Sequence, residues 1–257
     1  MTCVNDPHVE ALTYEFRVVT GGHHFANANA WCGRLGDFDC VLENATLTAR
    51  PTTHYATAAE ARDALEPLLR GWEAQIELER AYQAEFNFAS ATVVDRNPPL
   101  GGQTRELQAT VTGRATISAD VSVEHDDYPS PPEDRLTESE ILKELRERIR
   151  DFRTRRERVL VAAYWCLTRI ERQYGSRQAA AQTLNVSRNV LDEVGRIAAV
   201  NDPHEGRKFD GTVRQLTTEE SNWIRNALVA VALRVGQVEA GQDPSGLPVL
   251  TRAQIQS

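Results

Sequence analysis

Apolar and polar residues alternate over much of the first half of the chain. Leu12, Tyr14, Phe16 and Val18 fall at every second position, which predicts a half-buried strand. Cys40–Ala49 has room for one or two more strands, and Phe86, Phe88, Ser90, Thr92 and Val94 return to the same period. The longest alternating run is Leu107, Ala109, Val111, Gly113, Ala115, Ile117, Ala119, Val121 and Val123. It predicts one bent strand, or two strands meeting at a bulge near Gly113.

Between these stretches the period changes to that of a helix. Thr57-Ala-Ala-Glu60 fits a capping box, in which the hydroxyl and the carboxylate satisfy exposed amides at a helix start. Ala61, Leu65, Leu68, Trp72 and Ile76 follow along one face, and Pro67 predicts a kink or a split. Glu124–Ser139 is acidic and contains three prolines, so it reads as a linker. A second capping box, Thr137-Glu-Ser-Glu140, then opens a helix marked by Ile141, Leu145, Ile149 and Phe152. The stripe stops at Arg153–Arg158 and resumes at Val159, Ala163, Cys166 and Ile170. The helix therefore either runs unbroken to about Tyr174 or bends in the arginine-rich segment. Gly175 fits a C-cap. Thr217-Thr-Glu-Glu220 opens a last helix through Trp223, Ala227, Val231 and Val235, and the tail after it carries turn residues with little period.

These elements predict an α+β chain. Residues 1–127 form a mostly antiparallel sheet with a long helix over one face. Residues 128–139 form an acidic, proline-rich linker, and residues 140–257 form an all-α domain.

Composition narrows the function classes. The 257 residues are 41% hydrophobic, enough for packed cores, and no apolar run reaches the length of a bilayer span. The N-terminus lacks the basic and apolar regions of a secretory signal. Four cysteines do not make a disulfide scaffold in a chain this long, so a cytoplasmic protein with reduced thiols is expected. The net charge is −8, but residues Ile141–Arg214 hold 16 Lys+Arg and 10 Asp+Glu, a local +6 against −14 for the remainder. Segregated charge points to different partners for the two regions, although long solvated helices carry the same residues.

Arg177–Ile197, RQAAAQTLNVSRNVLDEVGRI, resembles the helix-turn-helix motif of bacterial DNA-binding proteins. Arg177–Leu184 would be the first helix, Asn185–Ser187 the turn and Arg188–Ile197 the second helix. Ala181, beside Ala180, is small enough for the helix crossing, and Asn185 tolerates the left-handed backbone that such a turn requires. Leu184, Val186, Leu191 and Val194 fall at the buried positions, and Ser187 fits an N-cap. The resemblance implies that the start of the second helix enters the major groove. Arg188 would then pair with guanine and Asn189 with adenine. Ser187, Arg177 and Gln178 would lie near phosphates, with Arg196 and Arg153–Arg158 extending the charge. Asp192 and Glu193 lie in the same helix and repel phosphate unless they face away. A buried helical hairpin would need the same small-residue contact and the same turn.

Other constellations are thinner. Arg196 and His204, eight positions apart, resemble the Arg…His pair of HEPN-type ribonucleases, which implies metal-independent RNA cleavage in a dimeric helical bundle. The spacing is wider than that family's, and Asn201-Asp-Pro203 interrupts it. His23, His24, Cys32 and Cys40 are candidate zinc ligands, but their gaps are wide for a tetrahedral site, and Cys40 falls in a strand. There is no nucleophile elbow, Walker loop or dinucleotide fingerprint. The whole layout is similar to bacterial two-part proteins of unassigned function, and that similarity brings no activity with it. The expectation is a non-enzymatic regulator without cofactor or metal, whose sheet domain senses a ligand or partner. Its expected partners are DNA or another protein, not a membrane, and a homodimer would form through a 140–174 helix.

Overall fold

The computed structural model describes residues 6–20, 22–97, 123–133, 136–200 and 214–255. The chain is α+β and divides into two compact units, Met1–Pro132 and Glu133–Ser257. The alternating run from Leu107 lies outside the described residues until Val123.

The described strands of the first unit are β1 (Pro7–Val18), β2 (His23–His24), β3 (Trp31–Leu35), β4 (Phe38–Glu43), β5 (Thr46–Pro51), β6 (Ala84–Asp95) and β7 (Val123–Glu124), with helix α1 (Ala58–Arg80) after β5. Five of them form an antiparallel sheet in the order β3-β4-β5-β1-β6, and β2 pairs in parallel with β7. Leu12, Tyr14 and Phe16 point into the core as their period requires. A register shift between Val9 and Ala11 breaks the alternation of β1, whereas that between Thr13 and Tyr14 places its extra residue, Ala89, on β6. The inward face of β1 therefore steps from Val9 to Leu12.

The Thr57/Glu60 capping box starts α1. Pro67 does not split this helix. It lies on the exposed side with Asp63, whose carbonyl loses its amide partner to the proline, so the deleted bond leaves no buried orphan. Beyond Pro67 the helix buries Leu69, Trp72, Ile76 and even the carboxylate-bearing Glu73. Glu73 accepts from the Phe86 amide at 2.6 Å and from Arg70, which ties α1 to β6. Tyr128, which the sequence places in the linker, is buried in the core of this unit, and its hydroxyl accepts from the Ala45 amide at 2.8 Å.

The second unit contains α2 (Glu140–Arg153), α3 (Val159–Tyr174), α4 (Arg177–Thr183), α5 (Arg188–Ala198) and α6 (Thr218–Glu239). Ser139, not Thr137, caps α2 by accepting from the Leu142 amide. The expected 140–174 helix is two helices. Residues 153–158 carry no apolar side chain to continue the stripe, and Arg155 adopts φ 58°, which ends α2. The apolar residues of both helices, Ile141 to Phe152 and Val159 to Ile170, are buried within this chain. The apolar stripes on which a 140–174 homodimer seam was expected are, among the described residues, taken up by packing within the chain. Gly175 has φ 91° and closes α3 as expected. Among the described residues, no helix is long and apolar enough to cross a membrane.

Candidate nucleic-acid interface

Helix α3 packs against both α4 and α5, and α6 packs against α5. The α4–α5 pair is built as its sequence requires. Asn185 adopts φ 47°, Ala180 and Ala181 are buried at the crossing, and Leu184, Val186, Leu191 and Val194 are buried. Ser187 occupies the N-cap position of α5, but its side chain makes no capping bond. Its amide instead donates to the Leu250 carbonyl at 2.8 Å, in a short parallel bridge between Val186 and Leu250.

That bridge belongs to a clamp absent from the sequence reading. The Asn185 side-chain amide donates to the carbonyls of Pro244 and Leu247 at 2.9 and 2.8 Å. Arg234 of α6 is 7% exposed, and its guanidinium donates to the carbonyls of Leu184, Asn185 and Pro248 at 3.2, 3.2 and 2.9 Å. One planar fork thus holds the turn and the tail together. The only local signal was a single arginine inside the apolar stripe of α6.

The outward face of α5 is exposed and mixed in charge. Arg188 and Asn189 are exposed at its start. Arg188 reaches back to Gln178 at 2.9 Å and to Asp192 at 3.3 Å. Arg177 does not stand open for a phosphate. It bridges Glu171 at 2.7 Å and Asp192 at 3.1 Å, and lies so close to Gly195 that a Cβ there would sit 3.0 Å from it. It is a strut joining α3, α4 and α5. Arg196 grips Glu193 at 2.6 and 2.9 Å and reaches Glu220 at 3.3 Å. Hydrogen bonds from Arg196 hold the Glu193 carboxyl below its usual range. Those from Arg214 hold Glu220 down to about 2. Both acids stay ionised at neutral pH. His204 lies outside the described residues, so the Arg196–His204 pairing has no geometry here.

The candidate zinc ligands do not converge. Cys32 is opposite Val41 and Cys40 is opposite Gly33, so the two thiols stand on opposite faces of the sheet. Burial pushes the Cys40 thiol up to about 12, which opposes the thiolate a metal needs. His23 instead meets His125, with ring nitrogens 2.7 Å apart. Its ring continues a column of Tyr82, His23, His125, Phe25 and Tyr128, each ring 4.3 to 5.2 Å from the next. Beside this column an open cleft of about 450 Å³ is lined by Phe16, Arg17, His24 and Asn44 among others. Among the described residues no group of three or more His, Cys, Asp or Glu is placed to hold a metal.

Burial, then the neighbouring His125, lowers the pKa of His23; burial, then Arg96, lowers that of His8. The unfolded chain therefore binds protons that the folded one refuses, starting at the ordinary value of 6.5. Stability is complete above that value and falls as pH drops through it towards the folded-state pKa. A melting series from about pH 8 to about pH 5.5 should show Tm falling across the lower half. His8→Phe/His23→Phe should flatten the fall, and an equally steep fall in that variant would contradict the assignment.

Comparison with protein-family models, curated proteins and solved structures finds no match to this chain.

Proposed function

We propose that the protein is a non-enzymatic, nucleic-acid-associated regulator that sets the start of α5 in the major groove of duplex DNA. In this reading the sheet unit, with its open cleft, is the sensing part. One observation carries it: a two-helix corner with a left-handed Asn185 leaves Arg188 and Asn189 exposed at the N-terminus of its second helix.

Magnitudes decide whether the acidic neighbours forbid it. An exposed ion pair such as Arg188–Asp192 is worth about 0.2–1 kcal/mol. A bidentate arginine–guanine contact discriminates by about 1–3 kcal/mol. Arg188 therefore gains by leaving Asp192 for a base. Selection from a randomised duplex pool should enrich a motif containing guanine, and Arg188→Ala should lose preference at that position by about 1–3 kcal/mol. An unenriched pool with the unaltered chain would overturn the reading.

A second reading has its own observation. Asp192, with its side chain 44% exposed, puts negative charge one turn beyond Arg188 and suits a protein partner better than phosphate. Recovery of a stoichiometric protein partner without nucleic acid favours that alternative.

A further inference from the structure

Glu193 is one of the two acids of α5 that the sequence marks as repulsive to phosphate. The side chains around it are layered. Arg252, Glu193, Arg196, Glu220 and Arg214 form a chain of alternating charge, with N–O contacts of 2.9, 2.6, 3.3 and 2.7 Å. The two carboxylates lie underneath, 12% and 17% exposed. The three guanidiniums lie outside, 58%, 54% and 42% exposed for Arg252, Arg196 and Arg214. The elements that carry them are the tail, the last turn of α5 and the residues before α6. The Arg252 guanidinium also lies over the Trp223 ring, 5.4 Å from its centre.

We infer that this layer is a phosphate-contacting flank, in which Glu193 and Glu220 hold three arginines in register for the backbone of duplex DNA. The inference rests on the DNA reading above. A partner approaching the last turn of α5 meets the guanidiniums before the Glu193 and Glu220 carboxylates beneath them, so Glu193 acts as a positioning residue and not as a repulsive one. The net balance of three cations over two anions is +1, and the anions are the more shielded from an approaching strand. The flank also makes the C-terminal tail part of the interface. Arg196 lies eight residues beyond Arg188, about 12 Å along the helix, a distance that lets the flank meet the backbone while Arg188 meets a base.

Each lost phosphate contact reduces the slope of log affinity against log salt by about 0.9. The test is a salt series with the full-length chain on a fluorescent duplex of unrelated sequence. Arg252→Ala and Arg196→Ala should each flatten the slope by about 0.9, and Arg252→Lys should keep it. Lys143→Ala, an exposed cation on α2, should leave it unchanged. Melting curves check that each variant is folded. Unchanged slopes in Arg252→Ala and Arg196→Ala, with the unaltered chain still binding, would overturn the flank and leave the α5 reading intact. No binding by the unaltered chain would overturn both.

Discussion

Arg234→Met is expected to destabilise the helical unit by about 3 kcal/mol, because three carbonyls lose a charged donor and Met restores only the buried stem. The carbonyls of Leu184 and Asn185 belong to the turn between α4 and α5, and that of Pro248 to the tail. The variant should therefore release the tail and loosen the turn together. Lysine keeps the charge but not the planar fork, so Arg234→Lys should recover only part of the loss. Denaturant titration of the three proteins reads this directly. A methionine variant within about 0.5 kcal/mol of the unaltered chain would show that the clamp holds nothing.

The second large effect lies in the sheet unit. Trp72 is fully buried, with its ring centre 4.9 Å from that of Trp31 and 4.8 Å from that of Phe86. Trp72→Ala removes the largest side chain between α1 and the sheet, and should cost about 3–5 kcal/mol. The indole N–H has no hydrogen-bond partner among the described residues. Trp72→Phe sheds that orphan donor while keeping most of the apolar contact, so it should cost well under half as much. Equal losses for the two variants would mean that the N–H is satisfied and contributes to stability.

How much of this was legible follows from the range of the interactions. The α4–α5 corner is local in outline: its turn, its small residues and its buried positions lie within 21 positions, although the Asn185 side chain is held by carbonyls 59 and 62 positions away and Ser187 makes no local cap. Strands β1, β4, β5 and β6 are visible because their period is two, whereas β3, mostly exposed, shows no such period. The Thr57/Glu60 and Thr217/Glu220 capping boxes are visible because they are four residues long, while Thr137–Glu140 misplaced the cap that Ser139 makes. Arg234 was not legible. Its partners lie 50 and 14 positions away, and a single arginine in an apolar stripe looks like a solvated exception. The His23–His125 contact spans 102 positions, with one partner in a stretch that reads as linker. Tyr128 was hidden in the same way, by acidic and proline-rich neighbours. The acids of α5 were legible in identity but not in depth. Sequence marks Glu193 and Asp192 alike as repulsive, whereas Glu193 lies under two arginines and Asp192 is far more open. Of the two courses open to 140–174, an unbroken helix or a bend at Arg153–Arg158, the chain breaks at that arginine-rich segment, where the apolar stripe stops; the left-handed Arg155 that makes it a full break is announced by no residue type.

The central claim is that the exposed start of α5 and the arginines beside it engage duplex DNA. An electrophoretic shift series with the full-length chain at about 50 mM and about 200 mM salt tests it most directly. With about three phosphates neutralised, a shifted complex should form at the lower salt with micromolar protein, and affinity should fall roughly 40-fold at the higher. No shifted complex at the lower salt would contradict the account.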